Sequence, residues 1–186
     1  MDEIVKAALA KWPNVPHCHG WLGLDARGDW YMRDDATQAA GPFALNPGGG
    51  RGPAIKGSRL QHGKLIDFIG RNYAADEAGQ WFFQNGPQRV YVELEAAPYV
   101  WRLQTDGTVT AHTGVSAGSV KNCLMDEFGR LFLLTELGFG LVHTNDMLVA
   151  SDAVEQGRWT PKEQGFAEMP AQWGYVLSPQ ARLAEA

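Results

Sequence analysis

Trp81-Phe82-Phe83-Gln84-Asn85-Gly86-Pro87-Gln88-Arg89-Val90-Tyr91-Val92-Glu93-Leu94 is the stretch that decides the fold. An aromatic run leads into a turn at Asn85-Gly86-Pro87, and a strand with alternating apolar and polar residues leaves it. Successive side chains of a strand point to opposite faces. One face therefore holds Val90, Val92 and Leu94, and the other holds Arg89, Tyr91 and Glu93. The pattern predicts a central β-hairpin with a buried face and a polar turn.

The strongest helix signal precedes this hairpin and covers residues 58–73. Ser58 and Gln61 have the spacing of a capping box, in which each side chain satisfies a backbone N–H group at the start of a helix. Apolar residues then recur at helical steps, at Leu60, Leu65, Phe68, Ile69 and Tyr73. We predict an α+β fold in which antiparallel β-hairpins form one or two curved sheets packed by this central amphipathic helix.

The predicted domain division falls after residue 110. Residues 1–110 form an N-terminal α+β subdomain with helix 58–73 and the central hairpin. Residues 111–186 form a smaller β-rich subdomain with a C-terminal strap. One continuous domain is the alternative, since a chain of 186 residues fits either arrangement.

The composition is that of an ordinary globular protein, with 45% hydrophobic and 20% charged residues. A net charge of −5 argues against a nucleic-acid partner, which requires a basic surface. No apolar run is long enough to span a membrane, and the acidic start Met1-Asp2-Glu3 is unlike a signal peptide. Two cysteines, Cys18 and Cys123, are too few for a disulfide framework. We predict a cytoplasmic protein with no cofactor.

Polar side chains at the helix end and in the turn are the candidate ligand site. Helix and hairpin are consecutive, so their ends are expected to be neighbours in space. Two arginines and several amides there could bind the carboxylate or phosphate of a small anionic ligand, or a peptide backbone. The alternative is that they satisfy carbonyl groups of the helix end and the turn. The predicted ligand-binding residues are Arg71, Asn72, Tyr73, Gln84, Asn85, Gln88 and Arg89.

A hydrolase is the second hypothesis. Gly114-Val115-Ser116-Ala117-Gly118 matches the Gly-x-Ser-x-Gly pattern, and Asp126 and His143 follow in the chain order of a catalytic triad. That motif requires a helix directly after the serine, whereas the sequence here predicts another hairpin. A Gly/Ser loop between hairpins is the favoured interpretation, and no catalytic residue is predicted.

Two further stretches have the composition of ligand sites. In an extended His17-Cys18-His19, the two histidines point to one side and the cysteine to the other, and a structural zinc needs about four ligands. Partly buried histidines beside a Trp-rich core are favoured, and no metal is predicted. Gly48-Gly49-Gly50-Arg51-Gly52 lacks the Gly-Lys-Ser/Thr ending of a phosphate-binding loop and is interpreted as a flexible connector.

An Asp-x-x-Gly motif recurs at Asp25, Asp76 and Asp126. Asp and Gly dominate such bends for local reasons, so we interpret the repeat as convergent turn chemistry. An old duplication is the alternative.

Several motifs resemble a bacterial protein family of unknown function over residues 12–150. They are Trp12-Pro13-Asn14-Val15-Pro16, Gly20-Trp21-Leu22-Gly23-Leu24-Asp25, Arg71-Asn72-Tyr73, and the run from Phe82 to Val90. This resemblance implies no activity. The order helix, aromatic strand, turn, Glu-rich strand and Ala97-Pro98-Tyr99 is more weakly similar to a second uncharacterised bacterial family. The second resemblance implies two small α+β subdomains and a role in ligand sensing.

The sequence does not specify a reaction, and the function of the protein stays unknown at this stage. The favoured hypothesis is a non-catalytic binding or regulatory module for a small anionic ligand or a peptide. The alternatives are a hydrolase that uses Ser116 and a protein–protein interaction scaffold. A homodimer is compatible with the sequence, and neither nucleic acid nor membrane is expected as a partner.

Overall fold

The computed structural model describes residues 1–44 and 54–184 of the chain. The chain divides into two compact units. The first unit comprises Met1–Asp25, Asp29–Glu95 and Gly174–Ala186, and the second comprises Ala26–Gly28 and Ala96–Trp173. The predicted division into subdomains 1–110 and 111–186 stays a prediction. No helix among the described residues is both long and apolar enough to cross a lipid bilayer.

Helices α1 to α6 are Glu3–Lys11, Asp35–Ala40, Gly63–Arg71, Met147–Glu155, Met169–Trp173 and Pro179–Ala184. Two 3₁₀ turns, Thr144–Asp146 and Phe166–Glu168, precede α4 and α5.

A six-stranded mixed sheet forms the first unit, in the order β3-β2-β1-β6-β5-β4. Its strands are β1 Cys18–Leu24, β2 Trp30–Met32, β3 Ser58–Arg59, β4 Tyr73–Ala75, β5 Trp81–Asn85 and β6 Gln88–Leu94. Strands β5 and β6 form the predicted central hairpin, with Gly86 in its turn at φ +57°. Strands β1 and β6 run parallel, and the other neighbours are antiparallel.

The predicted helix start was wrong. Ser58 lies in strand β3 and pairs with Met32, so it is not free to cap a helix. Helix α3 begins at Gly63, and its N-cap is His62, whose Nδ1 accepts a hydrogen bond from Leu65 N. Tyr73, placed on the helical stripe by the sequence, instead begins strand β4.

Both faces of strand β6 are covered. Val92 and Leu94 are buried as predicted, but Tyr91 and Glu93 on the opposite face are buried too. Helix α6 packs against β6 and β1, and the hydrogen bond from Gln180 N to the Glu93 carboxylate places it on the Glu93 face. A central strand covered on both sides has no solvated polar face.

The second unit also contains a six-stranded mixed sheet, in the order β12-β9-β10-β11-β7-β8. Its strands are β7 Tyr99–Leu103, β8 Val109–Ala111, β9 Val120–Met125, β10 Leu131–Thr135, β11 Phe139–Val142 and β12 Lys162–Glu163. Trp101 and Phe132 are fully buried in its core, and the Trp101 indole donates to Leu133 O at 3.1 Å. The predicted α+β class is confirmed. The parallel pairs in each sheet were not predicted.

The same hydrogen bonds close all three Asp-x-x-Gly loops. At Asp25, Asp76 and Asp126, the backbone N–H donates to the carbonyl four residues on, and the side-chain Oδ1 accepts from that residue's N–H. The glycines of the three loops have φ between +73° and +81°, a region that favours glycine. Local turn chemistry is sufficient to explain the repeat.

Candidate functional site

The central hairpin places a set of polar and aromatic side chains on one face of the first sheet. Phe82 pairs with Tyr91 and Gln84 pairs with Arg89, and directly opposed residues share a face. Phe83 points to the other face, where its ring meets Phe68 of α3 at a centroid distance of 5.5 Å. Helix α3 therefore packs on the face opposite the Arg89 side chain.

Arg89 is the one guanidinium of the predicted site that the fold leaves without a polar partner. Its Cζ lies 4.4 Å from the centre of the Phe82 ring, in a cation–π contact. Within residues 1–44 and 54–184, its N–H groups make neither a hydrogen bond nor an ion pair. Five N–H donors on a half-buried, positively charged group are thus available to an acceptor from outside.

Two histidines, His19 of β1 and His17 just before it, contact Tyr91 on the Arg89 face of β6, and the sequence did not place them there. Cys18 pairs with Val90 in the parallel register, so His17 and His19 lie next to the Arg89 face of β6. The His19 ring stacks on Tyr91 at 4.4 Å, and the His17 ring meets Tyr91 edge-on at 5.9 Å. The prediction that both histidines point the same way is confirmed. The sequence predicted that His17 and His19 share a face, but it did not predict that strand β6 lies beside them.

Tyr91 holds the centre of this cluster in place. Its hydroxyl donates to Asp76 Oδ2 at 3.1 Å. Partial burial lowers the pKa of His19, and the nearby positive charge of His17 lowers it further. A negative charge beside His19 would act against these two effects and favour its protonated form.

Gln84 carries an unused acceptor on the same face. The side chain is only 1% exposed, and its Nε2 donates to Gly86 O at 2.9 Å. Its Oε1 is buried and has no hydrogen-bond partner among the described residues. A buried acceptor left unpaired costs roughly 1–3 kcal/mol.

The other predicted residues are engaged within the fold. Arg71 Nε lies 3.3 Å from both carboxylate oxygens of Asp2, and Asn72 Oδ1 accepts from Asp2 N at 2.7 Å. The Tyr73 ring packs against Trp30 and Trp81. Arg71, Asn72 and Tyr73 thus connect α3 to α1 and to the aromatic core.

The two remaining predicted residues lie at the turn of the hairpin, where Asn85 pairs with Gln88. Asn85 is exposed, and Gln88 Nε2 donates to Pro16 O at 2.9 Å. The structure therefore places Gln84, Asn85, Gln88 and Arg89 in one hairpin, in which Gln84 and Arg89 share a face. Arg71 is not part of this hairpin and forms an ion pair with Asp2. The ligand-binding role of all seven residues stays a prediction.

Ser116 lacks the surroundings of a nucleophile elbow. It is exposed, its Oγ accepts from Gly118 N, and strand β9 follows it where the motif requires a helix. Asp126 Oδ2 is bound by Arg130 Nε at 2.6 Å, and His143 Nδ1 accepts from Asn145 N. These hydrogen bonds fix a turn and a helix start.

No group of three or more His, Cys, Asp or Glu residues in the described part of the chain has the geometry of a metal site. The stretch Gly48 to Gly52 lies outside the described residues.

Comparison with known proteins bears on the family and not on a reaction. A crystal structure of a DUF1285 family protein from Silicibacter pomeroyi DSS-3 is similar over 82% of this chain and 84% of that chain, at 13% identity and a TM-score of 0.49. A DUF1285 family protein from Shewanella baltica OS155 is similar over 71% of this chain and 91% of that chain, at 15% identity and a TM-score of 0.45. No curated protein matches the sequence.

The DUF2944 family model, described as "Protein of unknown function (DUF2946)", matches residues 1–180. The expected resemblance to an uncharacterised family is confirmed at this level, and the individual motifs stay a prediction. The chain belongs to this family of proteins of unknown function.

Proposed function

We propose that this protein is a non-catalytic binding module whose ligand is a small anion, held at Arg89 with His17 and His19 beside it. The observation that carries the proposal is the Arg89 guanidinium, which rests on Phe82 and has no acceptor among the described residues. Arg102, Arg130, Arg71 and Arg59 all pair with a carboxylate.

The side-chain donors support an anion as the ligand. Arg89 offers its guanidinium N–H groups and the two histidines offer ring nitrogens, while the Asp76 carboxylate at the edge of the cluster accepts from the Tyr91 hydroxyl. Residues 89 and 91 are separated by roughly 6.6 Å along the strand, which is short enough for one carboxylate or phosphate to meet Arg89 and the histidines on Tyr91. Guanidinium and imidazolium N–H groups make the strong, charge-assisted hydrogen bonds that such oxygens accept.

A reducing, cytoplasmic location belongs to the same proposal. Cys18 and Cys123 are both free thiols in the structure. Unpaired cysteines are typical of compartments in which thiols stay reduced.

Titration with inorganic phosphate, acetate and a short acidic peptide, followed by NMR of the backbone amides and histidine rings, tests the proposal. We expect shifts around β6 and at His19 with at least one of the two small anions. Arg89→Gln is expected to weaken binding by about tenfold or more, because charged hydrogen bonds contribute about 1.5–3 kcal/mol.

Arg71→Gln is the matched control, since it makes the same change at the arginine that already pairs with Asp2. We expect this variant to keep the wild-type ligand affinity within about twofold, because it removes only an exposed ion pair, whose contribution to stability is small. Equal losses in the two variants would contradict the proposal. Shifts with the acidic peptide alone would make the ligand a peptide.

A further inference from the structure

A cavity of about 250 Å³ lies in the first unit, on the opposite end of strand β6 from Arg89. Its walls come from β6, from residues 42–44 and from the segment that contains α6, and they are largely apolar, with Phe43, Leu94 and Leu177 among them. Glu93 also lines the cavity, although the residue is only 3% exposed.

Two neighbours donate hydrogen bonds to the Glu93 carboxylate. Gln180 N donates to its Oε1 at 3.0 Å, and Ser178 makes a side-chain hydrogen bond to it. A carboxylate offers about four acceptor positions, so further positions stay open. Burial raises the pKa of Glu93, because the loss of hydration outweighs the help of these hydrogen bonds and of the nearby Arg33 charge.

No cation of the described chain is bound to this carboxyl. The Arg33 charge acts on it, but the Arg33 N–H groups donate to the carbonyls of Gly20, Gly41 and Ile55. Lys56 binds Glu95, the second acidic residue of the cavity wall, at 2.7 Å.

We propose that this cavity binds a small primary amine with an apolar body, its ammonium group on Glu93 and its body against Phe43, Leu94 and Leu177. A buried carboxylate is costly unless a charge of opposite sign pairs with it. An anionic ligand is disfavoured, because two glutamates, Glu93 and Glu95, line the cavity. The volume is larger than that of the engineered cavity of about 150 Å³ that holds benzene, so a phenyl ring with a short amine chain is of suitable size. This site does not depend on the anion site at Arg89.

Phenethylamine and its neutral analogue phenethyl alcohol are the probes that test this proposal. We expect phenethylamine to shift the amide signals of Leu94, Leu177 and Ala181 and to raise the melting temperature, since a ligand that prefers the native state stabilises it. Glu93→Gln keeps an acceptor for Gln180 N but removes the charge. It is expected to weaken phenethylamine binding about tenfold or more and to leave phenethyl alcohol binding unchanged. Equal amine affinity in wild type and Glu93→Gln would overturn the proposal.

A second variant keeps the test decisive if Glu93→Gln does not fold. Ala181→Phe fills the cavity from α6 without altering the carboxyl, and it is expected to abolish binding of both probes. Leu183→Phe places the same ring on an exposed position of the same helix that does not line the cavity, and it is expected to bind like wild type. Phenethylamine binding that survives Ala181→Phe would refute the cavity as the site. That result would leave the anion site untouched, because phosphate binding at Arg89 is measured separately.

Discussion

Two buried carboxyls, one in each unit, have opposite surroundings: Glu93 on strand β6 of the first unit, and Asp146 at the end of a 3₁₀ turn in the second. Asp146 in the second unit accepts from Arg102 Nε at 2.7 Å, Arg102 Nη2 at 3.2 Å and Leu103 N at 3.0 Å. The hydrogen bond from Arg102 is the main cause that lowers the pKa of Asp146. Glu93 in the first unit accepts from Gln180 N and Ser178 but forms no ion pair within residues 1–44 and 54–184, and burial raises its pKa. Asp146 is a structural group. The burial of the Glu93 carboxylate costs free energy, which the proposed amine ligand would offset.

The arginines repeat this contrast. Arg102 is committed to Asp146, and Arg130 is committed to Asp126 at 2.6 Å. Arg89 of the first unit rests on an aromatic ring instead. Arg89 and Glu93 both lie on strand β6, so both ligand sites that we propose are on the first sheet.

Acid should destabilise the second unit through His112, and this is the largest effect we expect. Its Nδ1 accepts from Val100 N, and burial lowers the pKa of His112 to about 3. The unfolded state therefore binds more protons between the ordinary histidine pKa of 6.5 and about pH 3, and stability falls as pH falls through that window by at most about 1.4 kcal/mol per pH unit. Urea unfolding as a function of pH measures the slope, which His112→Asn should flatten. An unchanged slope in the variant would assign the acid sensitivity to other groups.

Asp146→Ala should destabilise the protein by about 2–3 kcal/mol, because the buried Leu103 N–H and the Arg102 charge lose their acceptor. Urea unfolding at pH 7 measures the change. Asp152→Ala, at an exposed position of α4, is the control and should change stability by less than about 0.5 kcal/mol. Similar values for the two variants would remove the contrast between Asp146 and a surface carboxylate.

Glu93→Gln should have the opposite sign and stabilise the protein by about 1 kcal/mol at pH 8. The folded-state pKa of Glu93 is raised, so stability is fully present below the unfolded-state value of 4.5 and is lost as pH rises through the folded pKa. Glutamine removes this loss, so its advantage over wild type should disappear near pH 4. A variant that is less stable than wild type at pH 8 would show that the Glu93 charge is satisfied within the fold.

Ser116→Ala should change nothing measurable, which makes it the smallest effect. The serine is exposed and its hydroxyl only closes a local turn with Gly118 N. We expect wild type to resist labelling by a fluorophosphonate probe, as the variant does. Labelling that depends on Ser116 would revive the hydrolase alternative.

Local patterns in the sequence were sufficient for the central hairpin, the Asp-x-x-Gly turns and the α+β class, because each depends on residues close together in the chain. The capping-box signal at Ser58 failed since a distant strand, β2, pairs with that residue. The parallel pairing of β1 with β6 was not predictable either, because side-chain alternation does not specify which strand lies alongside.

The same limit explains the candidate sites. Gln84 and Arg89 are cross-strand neighbours of one hairpin, so their proximity followed from the turn. His17 and His19 reach Arg89 only through the parallel pairing, and Arg71 is taken by Asp2, which is far away in the sequence. The cavity at Glu93 depends on α6 from the end of the chain.

The most direct test of the anion site is the pH titration of the His19 ring by NMR, with and without inorganic phosphate. Phosphate bound at Arg89 would favour the imidazolium form, so we predict that phosphate raises the pKa of His19 in wild type and in Arg71→Gln but not in Arg89→Gln. A His19 titration that is the same with and without phosphate and acetate in the wild-type protein would contradict it.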